Sequence, residues 1–428
     1  MEENKKLKIK TLLKCLENSY ETKLESNISF WGLSNSLYNI KDFFKYNLIS
    51  LNYKFNQNEK SFVHIYNKAY SIPNIEFMKQ KLKSLILISY RNNYKPQTNS
   101  KNNSIYNSDC GWGCMIRSTQ MIMARAIYKI FKYEIRKSDQ KLDKNFLIKS
   151  VIYFFLDNNL KLLKNRKGKE NTYFGMENYI SKLKSYNENN IFKTKREICS
   201  IEPPFSIQKI CIMGEIFGKT CGEWFSDYDL PKILDYINVG FNVFPNVKII
   251  HNNSNLDICK LIESCFKEIS KEKEVENYII YNGKRYIFGK MGIIFISLRL
   301  GLESISDDYF PSIKKIFDCK EFLGFLGGKV QSASYFFGYV NDDLLFLDPH
   351  YNQTSVKDLE REGISSYIDK TIYKLSLKSL QTALTLGFLF RNFDEFIDLI
   401  DFCQKFCKDE YPIFYLSKIN NLEINRKE

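Results

Sequence analysis

Histidine is nearly absent from this 428-residue chain: there are three, at positions 64, 251 and 350. Any imidazole chemistry must therefore use one of these three side chains. The eleven cysteines include no C-x-x-C pair and their number is odd. Neither a zinc ribbon nor a disulfide framework is suggested. No apolar run reaches the length of a membrane span. The first residues, MEENKKLKIK, are charged and lack the apolar core of a secretory signal. A reduced, cytoplasmic compartment is the expectation.

Lys and Arg number 63 against 49 Asp and Glu, a formal charge of +14. The excess is diffuse lysine in an Asn-rich background. No nucleic-acid signature accompanies it, so no nucleic-acid partner is expected. A weak attraction to anionic membrane surfaces is compatible with it. The hydrophobic content of 44% allows a sizeable core.

Along the chain, residues 1–25 read as an N-terminal tail with one short apolar pattern, and 419–428 as a C-terminal tail. Residues 26–418 read as the main domain. Lys- and Asn-rich stretches mark expected insertions at 157–200 and 266–290. Residues 84–90 form a short apolar run, a buried helix end or a strand, and 95–108 read as a polar loop. Strands are expected at 246–251 and 292–302. Residues 333–340 and 344–350 are expected to form a hairpin across Asn341-Asp342-Asp343. The mixture lacks βαβ regularity, which favours an α+β fold.

Cys114 ends the run Ser108-Asp109-Cys110-Gly111-Trp112-Gly113-Cys114. Met115, Ile122, Ala126 and Ile130 behind it carry helical spacing. A thiol at a helix N-terminus meets the positive end of the macrodipole and unpaired N–H groups, which favour thiolate. A lone cysteine before a helix is more commonly an inert buried thiol, so Cys114 needs a base to become a nucleophile. His64 has no acid in immediate register, and His251 ends a strand before a turn. His350 lies two residues after Asp348. In extended chain these two share a face, about 6.6 Å apart along the strand, close enough for the carboxylate to lean on the imidazole. Cys114, His350 and Asp348 are thus the candidate catalytic group. Cys110, four residues before Cys114, is either an ordinary neighbouring thiol or a partner that traps an oxidised nucleophile as a disulfide.

These residues resemble the autophagins, papain-like cysteine proteases that process the GABARAP-type ubiquitin-like modifier of autophagy. SDCGWGCMIRSTQMIMARA (108–126) is similar to the family's nucleophile motif. LGFLGGKVQSASYFFGYVNDDLLFLDPHYNQ (323–353) is similar to its Asp-Pro-His motif with the regulatory-loop segment before it. YRNNY (90–94), GEW (222–224), ISLRLGL (296–302) and LTLGFLF (384–390) follow family blocks in order. The resemblance implies a papain-like α+β fold with a central antiparallel sheet and the nucleophile at a helix N-terminus.

It also implies roles. Cys114 is nucleophile, His350 general base and Asp348 its orienting group, while Tyr90 supports the oxyanion hole. Trp224 and a regulatory loop at Gly327, Gly328 and Lys329 gate the substrate. The family's proline after that loop is Val330 here. Hydrolysis is expected after a C-terminal glycine, both in the modifier precursor and in its phosphatidylethanolamine conjugate. The implied partners are that modifier and, transiently, the autophagic membrane, acting on a monomer without cofactor or metal. Two alternatives remain: a protease of the ufmylation-specific type, which shares the Gly-Trp-Gly-Cys and Asp-Pro-His motifs, and an inactive modifier-binding scaffold. Tyr46-Asn47-Leu48-Ile49 fits an aromatic-x-x-aliphatic binding pattern but reads as core or helix.

Overall fold

The runs 291–299, 322–329, 332–340 and 383–390 are rich in Ile, Leu, Phe and Val, and they lie side by side as strands. A computed structural model describes residues 62–71, 82, 84–138, 143–158, 163–164, 170–171, 203–270, 272–329, 332–417 and 422–426. The expectations for residues 1–25, for Tyr46 to Ile49, for most of 157–200 and for Val330 lie outside the described residues.

Strands β1 (Phe62–Ile65), β2 (Lys68–Ser71), β3 (Arg91–Thr98) and β4 (Ile105–Ser108) precede α1 (Cys114–Lys137). Helices α2 (Lys144–Ile152), α3 (Ile207–Gly214) and α4 (Asp229–Gly240) follow. Next come β5 (Val247–Asn253), α5 (Ile258–Cys265), β6 (Phe266–Ile269), β7 (Tyr278–Tyr281), β8 (Lys284–Phe288) and β9 (Met291–Arg299). The chain ends through β10 (Phe322–Lys329), β11 (Ser332–Val340), β12 (Asp343–Leu347), β13 (Gln353–Thr354), β14 (Tyr373–Ser376), β15 (Ala383–Phe390), α6 (Phe393–Phe406) and β16 (Leu422–Asn425).

The main sheet has the order β14–β12–β11–β10–β15–β9–β5, with β1 and β2 joined beside β11. The α+β class holds, with one refinement. The sheet is antiparallel except at its edge, where β5 and β9 run parallel. A parallel pair needs a crossover, and α5 with β6, β7 and β8 lies between these two strands in the chain. The near-continuous burial of β9 reflects cover on both faces.

Helix α1 packs over β11 and β10. Ile122, Ala126 and Ile130 are buried as their spacing requires, whereas Met115 at the mouth is partly exposed. Arg136 and Lys137 close the last turn, where cations suit the helix dipole. An aromatic cluster fastens α1 to the segments behind it: Phe154 meets Phe131 at 5.7 Å, Phe244 at 5.0 Å and Phe205 at 6.4 Å.

Several segments differ from their sequence reading. Residues 95–108 are mostly hairpin rather than loop, because β3 and β4 pair around a turn at Asn103. Residues 85–90 are buried but join no ladder; their N–H groups reach single partners, such as Leu87 to the Tyr367 carbonyl. The Lys-rich stretch 266–290, expected as an insertion, carries β6, β7 and β8. β16, within the expected C-terminal tail, completes that four-stranded sheet against β7. β16 alternates Leu and Ile with Glu and Asn, a weak period-two signal, whereas β6, β7 and β8 show no clear alternation. The hairpin expected at 333–350 is present with a two-residue turn, Asn341 taking φ 53°.

Phe154 is fully buried among three rings. Phe154→Ala is expected to cost about 3–5 kcal/mol. Urea unfolding followed by circular dichroism should show a lower midpoint with an unchanged m-value.

Candidate active site

Cys114 is the first residue of α1 and is fully buried. No side chain caps this helix and no carboxylate occupies its first turn. The terminal N–H groups and the dipole are therefore left for the thiol. The entry turn is tight: Trp112 and Gly113 both donate N–H to the Asp109 carbonyl, at 3.2 and 2.9 Å. A Cβ on Gly113 would stand 2.5 Å from Asp109 Oδ2, so only glycine fits.

Asp109 and Arg117, five residues before and three after the thiol, hold this turn. Arg117 donates Nε–H to Asp109 Oδ2 at 2.7 Å and reaches Asp157 Oδ2 at 2.9 Å, all three side chains being buried. Asp109 Oδ1 also accepts the Arg91 N–H at 2.7 Å, tying the residue after Tyr90 to the same carboxylate. Sequence reasoning missed this cluster. Its signal was two opposite charges inside an apolar nucleophile motif.

The Asp-Pro-His segment is brought to the thiol by the backbone on either side of Tyr90. Tyr90 donates its N–H to the Pro349 carbonyl at 2.8 Å, and its own carbonyl accepts the Gln353 N–H at 2.9 Å. β12 ends at Leu347, so Asp348 and His350 lie just beyond the strand. Asp348 Oδ1 accepts a short hydrogen bond from His350 Nδ1 and the His350 N–H at 3.0 Å. The imidazole hydrogen-bonds Cys114. Tyr90 sets its ring edge-on to His350, centroids 5.4 Å apart, and its hydroxyl bonds the thiol. The structure thus brings Cys114, His350, Asp348 and Tyr90 together.

The charges support one another. Burial opposes ionisation of Cys114, but the hydrogen bond and charge of His350 outweigh it, helped by the Ala333 N–H and the Tyr90 hydroxyl. The thiol falls below its ordinary 9.0. Burial likewise disfavours the imidazolium, yet the Asp348 carboxylate and Cys114 carry His350 up to about 10. Burial acts against the Asp348 carboxylate, and His350 nevertheless holds its pKa below 3.8. Burial and the nearby charges of Cys114 and Asp109 push Tyr90 well above 10, so its hydroxyl keeps the proton that it donates. Such an arrangement supplies a thiolate, a proton donor facing it, and an orienting carboxylate.

Ser332 was not foreseen: its Oγ lies 3.4 Å from His350 Nε2. Ala333, the next residue, packs on Cys114 and accepts Ser118 Oγ–H at 3.1 Å on its carbonyl. The other histidines lie elsewhere. His64 stacks on Tyr339 at 4.4 Å, and His251 bonds Ser297 Oγ at 3.2 Å. Cys110 is an exposed free thiol.

Gly327, Gly328 and Lys329 are not a loop. They end β10 and pair with Ser334, Ala333 and Ser332 of β11, the antiparallel ladder extending to Lys329 and Ser332. Trp224 is 41% exposed on the segment between α3 and α4. That segment reaches the turn before Cys114 indirectly. Gly222 takes φ 85° with its Cα hydrogen against Tyr106, and Tyr106 meets Trp112 edge-on at 5.9 Å.

The Peptidase C54 catalytic domain model matches residues 75–402. The chain belongs to the peptidase C54 family. Among its relatives are Cysteine protease ATG4B of Gallus gallus, 26% identical over 68% of this chain and 67% of that protein, and Cysteine protease ATG4D of Xenopus laevis, 24% identical over 80% and 72%. Cysteine protease ATG4C of Homo sapiens is 25% identical over 80% and 75%. The resemblance to the autophagins therefore holds, and with it the α+β papain-like class and a cysteine-protease family. Among the described residues no cluster fit to hold a metal occurs, and no helix is long and apolar enough to cross a membrane.

The ion pair has a pH signature. A thiolate persists below pH 9 while His350 stays protonated up to about 10, so wild-type Cys114 should react with iodoacetamide at pH 7. In His350→Ala burial acts without its counterweight, and less than about 1% thiolate remains at pH 7. The alkylation rate against pH, read by mass spectrometry, should shift its midpoint above 9. The stabilisation carried by His350 follows the same sign: full below about 6.5, lost as pH rises through about 10.

Proposed function

We propose that the protein hydrolyses the bond after the C-terminal glycine of a GABARAP-type ubiquitin-like autophagy modifier, in the precursor and in the phosphatidylethanolamine conjugate. The observation that carries this reading is the hydrogen-bonded line Asp348–His350–Cys114 with the Tyr90 hydroxyl beside the thiol, in a chain of the peptidase C54 family.

Thiolate attack on the glycine carbonyl forms the Cys114 Sγ–C bond and places negative charge on the carbonyl oxygen. The Tyr90 hydroxyl and the Cys114 N–H at the mouth of α1 are the donors proposed to receive it. His350 gives its Nε2 proton to the departing amine as the C–N bond breaks. Water, deprotonated by His350, then cleaves the thioester and restores the pair. A peptide amine and a lipid amine leave by the same step, which is why one site serves both substrates. Asp348 keeps Nδ1 protonated and Nε2 toward the thiol throughout. No cofactor takes part in these steps.

The proposed setting is a cytoplasmic monomer that touches the autophagic membrane only transiently. Residues 26–418 are proposed as the peptidase domain. Trp224 and the β10–β11 hairpin end at Gly327, Gly328 and Lys329 are proposed to border the glycine slot.

The test offers the purified protein two precursors, one of the autophagy modifier and one of the ufmylation modifier, each extended beyond the glycine. Cleavage of the first is expected, and cleavage of the second alone would overturn the reading. Cys114→Ala should retain binding and lose cleavage. Asp348→Asn should lower kcat by about 10²–10⁴-fold.

A further inference from the structure

Trp224 stands on a segment fastened at both ends. On one side, Asn99 donates Nδ2–H to the Cys221 carbonyl at 2.6 Å, and Lys101 Nζ meets Glu223 at 2.7 Å. On the other, four side chains form one polar line. Thr385 of β15 donates Oγ1–H to Asp227 Oδ2 at 2.8 Å. Ser297 of β9 lies 3.3 Å from Thr385 Oγ1 and 3.4 Å from the Asp227 carbonyl. His251 of β5 sets Nε2 3.2 Å from Ser297 Oγ and presents its ring to Tyr228 at 4.7 Å.

The protons of this line can be placed without conflict. The single hydroxyl proton of Thr385 goes to Asp227. Ser297 donates to Thr385 or to the Asp227 carbonyl, and His251 donates Nε2–H to Ser297. Each donor has an acceptor and the line ends on a carboxylate, an arrangement in which successive hydrogen bonds strengthen one another. Burial, with Lys232 and Lys260 nearby, pushes His251 down to about 4, so its ring is neutral at pH 7.

The line also lies toward the thiol. Thr385 pairs with Leu326, two residues before Gly328, and Gly328 pairs with Ala333, which packs on Cys114. Gly387, on the same strand face as Thr385, lies under Ile122 of α1. The polar line therefore occupies the sheet face that α1 covers. It fastens the stretch of chain three residues after Trp224, whereas the other anchor holds the residues immediately before it.

We infer that Asp227, Thr385, Ser297 and His251 act as a clasp that fixes Trp224 and its segment as one wall of the approach to Cys114, and so set how readily a substrate reaches the thiol. The inference rests on Cys114 being the nucleophile. These four are positioning residues, since they act through the segment they hold.

Thr385→Val keeps the shape and removes the donor, and Ser297→Ala breaks the line one step further on. Two readouts follow: KM and kcat on the extended autophagy-modifier precursor, and the rate at which iodoacetamide modifies Cys114, resolved from Cys110 by fragment mass spectrometry. KM and the Cys114 modification rate should each rise, about tenfold or more in Thr385→Val, which removes a hydrogen bond to a carboxylate, and about fivefold in Ser297→Ala, which removes neutral ones, while kcat changes less. Thr385→Ser should restore both. Wild-type values of both in Thr385→Val and Ser297→Ala would overturn the clasp, as would a Thr385→Ser variant as impaired as Thr385→Val. If the wild-type protein cuts neither precursor, the proposed substrate is wrong, and the Cys114 modification rates alone decide the clasp.

Discussion

Arg117 is buried between Asp109 and Asp157, and the position of Cys114 depends on that shared guanidinium. One carboxylate holds the turn that leads into α1, and the other comes from the segment after α2. Each charge is compensated by hydrogen-bonded partners, the condition under which a buried ion cluster is tolerated. Removal of one member would leave a charge uncompensated, at about 3–5 kcal/mol. Asp109 also takes the Arg91 N–H, so the same cluster that aims the thiol holds the strand that begins after Tyr90.

From that anchor the site assembles through backbone rather than side chains. Tyr90 is clamped to Pro349 and Gln353 by its own N–H and carbonyl. The imidazole thereby reaches the thiol without needing regular strand beyond Leu347. The remaining contributions are electrostatic. Thiol and imidazole each suffer from burial, and each is returned to its charged form by the other, with Asp348 at the far end. A fully buried thiol is held in its charged form in this way.

Much of this was legible beforehand because it is local. The helix behind Cys114 shows in the spacing of Ile122, Ala126 and Ile130. The hairpin shows in two apolar runs around Asn341 and Asp342. The pairing of His350 with Asp348 shows in their separation of two residues. The segment 95–108 was misread as loop, because its polar, Asn-rich residues hide the pairing of β3 with β4 across Asn103. Gly327 to Lys329 belong to the ladder because register with β11, not glycine content, decides their conformation.

The sequence alone determined which groups could do chemistry: one cysteine at a helix mouth, three histidines, and one of these beside an aspartate. It determined the fold class through the mixture of periods. It could not say that Ser332 and Ala333 would come to the thiol, or that Asp157 would share Arg117 with Asp109. Those pairs are separated by tens to hundreds of residues. The line from Asp227 to His251 was equally hidden, since each member reads by itself as an ordinary loop or strand residue. Only the packing of β5, β9 and β15 beside one another brings their polar atoms within hydrogen-bonding distance, because ladder register, rather than any local preference, decides which side chains meet.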